Sequence, residues 1–244
     1  MIVVDKNNSK EERRLIHMKK KQTLAQRINI MRAAVMGAND GIVSVAGIVI
    51  GVAGATTSNF AIFISGISGM LAGTVSMAMG EYVSVNTQKD AQRRAVMNQK
   101  KALADNYDDE FNFVKQKYVD DGITPELAEQ ATHEMMSQDS LVTTVRERYG
   151  FDVGEYTSPY AAAIASMISF PIGSILPLLA ITMLPSAIRI WGTFLAVIIA
   201  LAITGFSAAT LGDAKRGNGM VRNIVSGVLT MIVTYAIGTL IGHI

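Results

Sequence analysis

Cysteine is absent from the 244 residues, and histidine and proline are scarce, with three and five copies. The lack of cysteine excludes disulfides, thiolate metal ligands and thiol catalysis. The histidines are scattered at His17, His133 and His243 and form no histidine-based metal motif. Neither a Gly-x-Ser-x-Gly elbow nor a phosphate-binding loop occurs. We therefore expect a protein that is not an enzyme and carries no cofactor.

Charge is also missing from one long stretch, from Gly41 to Gly80, which is bounded by Asp40 and Glu81. About 20 apolar residues cross a bilayer once as a helix, so this stretch is long enough for two crossings. A turn near residues 56–59 would join them. The sequence thus predicts a transmembrane hairpin over residues 33–85.

Residues 1–32 are basic, with apolar residues interleaved among the lysines and arginines. Because the first 20 residues are charged rather than apolar, we expect no secretory signal peptide. A nucleic-acid-binding arm would have a similar composition, but this segment leads directly into a membrane helix and therefore lies next to the lipid bilayer. We therefore predict a basic amphipathic helix on an anionic cytoplasmic membrane surface, and no nucleic-acid partner.

Residues 86–155 change character and become highly charged, with helical periodicity and no long apolar run. Four short helices are expected, one of them continuing the second span to Asp105 and one beginning after Asp139. Residues 156–244 then hold three further spans, the first of which contains Pro171 and Pro177 and should be kinked or broken by them. The predicted fold is an all-α membrane protein with five transmembrane helices and a helical insert between the second and third.

The basic residues predict the orientation of this fold. Lysine and arginine are concentrated in the N-terminal segment, in the insert and between the fourth and fifth spans. The positive-inside rule therefore places the N-terminus and the insert in the cytoplasm and the C-terminus outside. We expect a multi-pass protein of the cell (plasma) membrane.

Small residues recur every three or four positions down the first helix, among them Gly37, Gly47, Gly51 and Gly54. Such stripes allow two helix backbones to approach closely. We expect this face to be left over for a second copy of the chain, which predicts a homodimer.

Asp40 is the first candidate metal ligand. Asn39-Asp40-Gly41 is also typical of a helix start, with Asp40 as the N-cap. However, good helix formers precede it and place it roughly 10 Å inside the helix, where a carboxylate is costly and usually functional. Glu81 is either an interfacial charge or an extension of the face of Met77, which lies four residues before it. Met77 taken alone is most simply a packing residue.

Two stretches carry a family resemblance: Arg32-Ala-Ala-Val-Met-Gly-Ala-Asn-Asp-Gly-Ile-Val-Ser44 and Ser76-Met-Ala-Met-Gly-Glu-Tyr-Val-Ser84. They resemble the signature stretches of the vacuolar iron transporter family, and the likeness spans nearly the whole chain. It implies a homodimer that moves Fe(II) or Mn(II) out of the cytosol, with proton exchange, along a path between the first helices. It also implies that Asp40 and Met77 line that path.

The same resemblance implies a glutamate-rich metal site in the insert, but this chain departs from that pattern. Gln99, Ala102 and Phe113 stand where carboxylates are common. The remaining candidate equivalents are Glu110, Met135, Met136 and Asp139. Each has a simpler structural interpretation as a solvated helix start, a packing residue or a cap. We therefore predict weak metal binding by the insert.

A second class of function competes with transport. A membrane-anchored interaction protein would use the insert to bind a partner and the spans as an anchor. It leaves a carboxylate inside a membrane helix unexplained, which favours the transporter.

Overall fold

The computed structural model describes residues 23–244, and the described residues contain helices and no strands. The predicted N-terminal segment, residues 1–32, therefore lies largely outside the described residues, and its last part forms the first turns of a membrane helix. The seven helices are α1 (Leu24–Ala55), α2 (Asn59–Asp105), α3 (Tyr107–Asp120), α4 (Pro125–Tyr149), α5 (Pro159–Met183), α6 (Arg189–Leu211) and α7 (Arg216–Gly242).

Five of these helices, α1, α2, α5, α6 and α7, are long and apolar enough to cross a membrane, which confirms the predicted number of spans. Local signals place their ends. Thr23 and Gln26 form a capping box at the start of α1, and the Ser58 hydroxyl accepts a hydrogen bond from the backbone N–H of Ala61 at the start of α2. The turn between α1 and α2 falls where the sequence predicts it.

Helix α1 is the centre of the membrane bundle and packs against α2, α5, α6 and α7. Its buried face supplies much of the apolar core, which α5, α6 and α7 complete. The fully buried large side chains of this core include Val45, Val49, Ile50, Phe170, Leu201 and Met231. In contrast, most of the apolar residues in the membrane half of α2 are exposed at the edge of the bundle.

The glycine stripe of α1 packs inside the protomer, so the prediction of a free close-packing face is wrong. A Cβ atom at Gly41 would clash with the carbonyl oxygen of Phe170 on α5. Gly47 and Gly51 lie against Thr230 and Thr234 of α7. Small residues here let the central helix touch two neighbours at backbone distance, and that requirement takes up the stripe.

The charged insert consists of the end of α2 together with α3 and α4. Helix α2 continues to Asp105, as predicted. Asp139 has non-helical backbone angles (φ −157°, ψ 99°) that divide α4 at the predicted position, and Gly150 ends it in the left-handed conformation (φ 71°). Within residues 23–244, α3 and α4 pack only against each other and against α2.

The prolines of α5 do not break it, contrary to one of the two expected outcomes. Pro171 and Pro177 both lie inside a helix that is continuous from Pro159 to Met183. This helix packs closely on α1, and the Ser174 hydroxyl lies 2.8 Å from the carbonyl oxygen of Phe170 and 3.2 Å from that of Gly41. The Ser174 hydroxyl thus links α5 to the backbone of α1 at a position between the two prolines.

Candidate functional site

A groove of about 410 Å³ lies between α1 and α2 and contains both residues that the family resemblance assigns to the path. Asp40 enters it from α1 and Met77 from α2. Its lining residues are Asp40, Ser44, Ile48, Gly69, Ala72, Gly73, Ser76, Met77 and Phe170. The structure thus brings together a carboxylate, two hydroxyls and a thioether that are separated along the chain.

Small residues of α2 face α1 and α5 along the groove. On α1, Asp40, Ser44 and Ile48 are spaced by four residues and therefore lie on one face. The glycines of α2 admit side chains of the neighbouring helices, because a Cβ atom at Gly73 would clash with the ring of Phe170 and one at Gly69 would lie 2.5 Å from Cδ1 of Ile48. The floor of the groove is therefore the ring of a buried α5 residue.

Asp40 is an interior residue of α1 and does not begin a helix, so the N-cap interpretation is wrong. It follows the first helical residue, Leu24, by about 24 Å at 1.5 Å per residue. The Ser44 hydroxyl donates a 2.8 Å hydrogen bond to its Oδ1 atom. The side chain is otherwise exposed toward the groove. It can therefore offer oxygen atoms to a cation.

Glu81 lies one turn beyond Met77 but has a different environment. It is 7% exposed, and its Oε2 atom is 3.1 Å from Nη2 of Arg32. The pair joins α1 to α2 beside the groove. Glu81 is thus not a solvated surface charge, and its carboxylate is already paired with the Arg32 guanidinium.

In the insert, Glu110 is also held by a cation of the protein itself. It is 8% exposed, accepts a hydrogen bond from the side-chain amide of Gln99, and lies 3.0 Å from Nη2 of Arg148 through each of its oxygens. The Arg148 guanidinium carbon is 3.8 Å from the centre of the Phe113 ring. Gln99 and Phe113, which stand where the resemblance implies carboxylates, both take part in this cluster.

The other candidates in the insert have structural contacts. Met135 Sδ accepts a hydrogen bond from the Tyr118 hydroxyl at 3.2 Å, Met136 is buried, and Asp139 Oδ1 accepts one from the backbone N–H of Val142 at 3.0 Å. Burial, together with the neighbouring Glu147 carboxylate, raises the pKa of Tyr118 to about 12, which keeps this hydroxyl a donor. Among the residues described, no group of three or more histidine, aspartate or glutamate side chains is placed to hold a metal.

Arg32 and Met36 are neighbours of the candidate site that the sequence patterns above did not single out. Arg32, Met36 and Asp40 are spaced by four along α1, and Arg32 Nη1 lies 3.0 Å from Met36 Sδ. This spacing was available as a signal. No sequence pattern indicated that Phe170 lines the groove, because its position there depends on how α5 packs against α1 and α2.

Comparison with known proteins identifies the family. Residues 31–239 match the VIT family. A vacuolar iron transporter of Acanthamoeba castellanii is 32% identical over 211 residues, which cover 86% of this chain and 78% of that protein. The vacuolar iron transporter homolog 1 of Oryza sativa subsp. japonica is 35% identical over 213 residues, covering 87% and 74%. The vacuolar iron transporter homolog 2 of Arabidopsis thaliana is 32% identical over 219 residues, covering 89% and 87%.

The match extends from the first to the last membrane helix, so it includes both signature stretches and the insert. Relatives named as transporters also agree with the prediction that the chain is not an enzyme. With five candidate spans and a family match over most of its length, this chain is a multi-pass membrane protein that belongs to the VIT family.

Proposed function

We propose that this protein moves divalent transition-metal cations, Fe(II) or Mn(II), out of the cytosol through the groove between α1 and α2. The observation that carries the proposal is that Asp40 and Met77 line the same groove. A carboxylate oxygen binds divalent cations in general, whereas a thioether is a soft ligand that Mg(II) and Ca(II) do not favour. The pair therefore selects for transition metals.

Proton exchange follows from the chemistry of one side chain. Asp40 binds a cation when ionised and releases it when protonated, so metal and proton compete for the same carboxylate. The Ser44 hydroxyl orients this carboxylate by donating a 2.8 Å hydrogen bond to one of its two oxygens, Oδ1. Movement of a proton inward can thereby be coupled to movement of a metal outward.

A second copy of the chain completes the path in this proposal. Asp40 is exposed in the protomer, although it lies within a helix that spans the membrane. A carboxylate facing lipid is costly, and covering it with the same face of a partner would replace lipid by a second set of polar groups. We place the N-terminus and insert in the cytosol and the protein in the cell membrane. The alternative location is the vacuolar membrane, which appears in the relatives' names. Localisation of a tagged protein would distinguish the cell membrane from the vacuolar membrane.

The test is metal flux into proteoliposomes that contain the full-length protein, with Fe(II), Mn(II), Co(II) and Zn(II) compared. Asp40→Asn keeps the shape of the side chain but cannot cycle a proton, and it should abolish flux. Met77→Leu keeps apolar volume and should reduce transition-metal flux. Asp105→Asn removes an exposed carboxylate of the insert and should leave flux unchanged. Wild-type flux in Asp40→Asn would overturn the proposal.

A further inference from the structure

The ion pair of Arg32 and Glu81 lies at one end of the seam that leads to the groove. On α1, Arg32, Met36 and Asp40 follow one another every four residues. On α2, Glu81 lies four residues beyond Met77 on the same face. Because a three-residue turn joins the two helices, they run antiparallel. The pair is therefore at the mouth of the groove that the proposed orientation places toward the cytosol.

The Arg32 guanidinium is surrounded by three acceptor atoms of different chemistry. Its Nη2 atom is 3.1 Å from Glu81 Oε2 and 3.3 Å from Asn29 Oδ1, and its Nη1 atom is 3.0 Å from Met36 Sδ. A cation is thus held by a carboxylate, an amide oxygen and a thioether. These are the donor types from which a first-row transition-metal site is built, and the sulfur makes the set a poor one for Mg(II) or Ca(II).

The two partners of the ion pair differ in freedom to move. The Glu81 side chain is 7% exposed, whereas the Arg32 side chain is 45% exposed. A long, half-exposed arginine can swing its charged end into water without disturbing the packed helices. The carboxylate would then remain in place, buried and without its cation, which is an unfavourable state unless another cation replaces the guanidinium.

From this geometry we infer that Asn29, Met36 and Glu81 form a second, outer binding site for a divalent transition-metal cation, which Arg32 occupies as a tethered competitor until the metal displaces it. This inference rests on the proposed function, because it supplies the step before the metal reaches Asp40. A metal ion and the guanidinium cannot occupy this site together, since both cations need the Glu81 carboxylate. Arg32 therefore raises the metal concentration at which the groove begins to load.

The direct test is binding of Mn(II) to the full-length protein in detergent, measured from the loss of the electron paramagnetic resonance signal of free Mn(II). Asp40→Asn is the background, so that the groove contributes no carboxylate. Adding Arg32→Gln should tighten Mn(II) binding about tenfold, because the metal then no longer has to displace a charge-assisted hydrogen bond to Glu81. Arg32→Lys keeps the positive charge and should bind as the background does. Adding Glu81→Gln to the Arg32→Gln protein should remove the gain.

Arg27→Gln is the matched control, because it removes an exposed positive charge from the same end of α1 and should not tighten binding. Equal tightening by Arg27→Gln and Arg32→Gln would overturn the inference, since it would reflect general charge. Unchanged binding in Arg32→Gln would also overturn it, and would leave the pair as a structural contact between two helices.

Transport provides a second measurement that does not require an unpaired Glu81. Met36→Leu keeps the volume and the ion pair of Arg32 and Glu81. It should raise the KM for Mn(II) about threefold to tenfold with kcat unchanged, because the neutral thioether is only a weak hydrogen-bond acceptor for the guanidinium but is a ligand for the metal. An unchanged KM would contradict the inference. The two proposals fail separately: wild-type flux in Asp40→Asn overturns the transport path, whereas loss of flux in Asp40→Asn with an unaltered KM in Met36→Leu overturns the outer site alone.

Discussion

Arg148 and Glu110 are joined across the insert, with Nη2 of the guanidinium 3.0 Å from each carboxylate oxygen. Gln99 donates to the same carboxylate, and the ring of Phe113 lies beneath the guanidinium. This cluster ties the end of α2 to α3 and α4 through a cation that belongs to the chain. The insert is therefore held together at this point by groups that require no metal.

The first prediction is that the insert adds no tight metal site to the full-length protein. Calorimetric titration of the Asp40→Asn protein with Mn(II) should show no stoichiometric binding that depends on Glu110. Replacing Gln99, Ala102 and Phe113 together by glutamate, along with Arg148→Ala, should create such binding, because hard oxygen ligands then replace a neutralised carboxylate. Tight binding in the Asp40→Asn protein that disappears on Glu110→Gln would contradict the prediction.

The second prediction concerns stability of the insert. Arg148→Ala leaves a buried carboxylate with one neutral partner and should lower the local free energy of opening by roughly 1–3 kcal/mol. Hydrogen exchange of α3 and α4 measures this, and adding Glu110→Gln should recover part of the loss. Arg146→Ala is the control: its partner, Asp152, is 2.7 Å away, but both side chains are half-exposed, so the loss should stay below about 1 kcal/mol.

The third prediction tests how closely α1 and α5 approach. Gly41→Ala should strongly destabilise the folded protein in thermal unfolding, because its Cβ would collide with the backbone carbonyl of Phe170. Gly80→Ala is the matched control, since a Cβ there meets nothing within 4 Å. That substitution should be neutral or stabilising by up to about 1 kcal/mol through helix propensity. Similar losses from both substitutions would show that helix contact is not the cause.

The fourth prediction locates the face between two copies. The protein has no native cysteine, so single cysteines report without interference. Ala72→Cys and Ser76→Cys line the groove and are exposed in the protomer, so each should cross-link to its counterpart in native membranes. Leu195→Cys, exposed on α6, should not. Gly51→Cys should not cross-link either, because Gly51 packs against α7. Cross-linking through Leu195 alone would place the dimer face elsewhere.

The fifth prediction concerns Tyr118 at alkaline pH. Its pKa is raised from the ordinary value of 10.0 to about 12 by burial and by the nearby Glu147 carboxylate. The folded state therefore binds this proton more tightly than the unfolded state. The corresponding stability is fully present below pH 10 and is lost as the pH rises toward about 12. Unfolding measured against pH should show this loss, and Tyr118→Phe should remove that component of it.

Local sequence patterns were sufficient for the secondary structure and for the family. Apolar runs and caps such as Ser58 act over a few residues, so the number of spans, the α1–α2 turn and the division of α4 at Asp139 could be predicted from the chain alone. The signature stretches that contain Asp40 and Met77 likewise indicate the VIT family without any information on packing.

The partners of the charged and small residues were decided by tertiary structure. Glu81 pairs with a residue 49 positions away and Glu110 with one 38 positions away, and neither distance is encoded in a local pattern. The glycine stripe of α1 was correctly identified as a close-packing face, but its spacing does not say which helix fills it. A stripe of small residues indicates that another helix backbone approaches closely. Which helix approaches depends on the arrangement of all five membrane helices. Here the neighbours at Gly41 and Gly51 are α5 and α7.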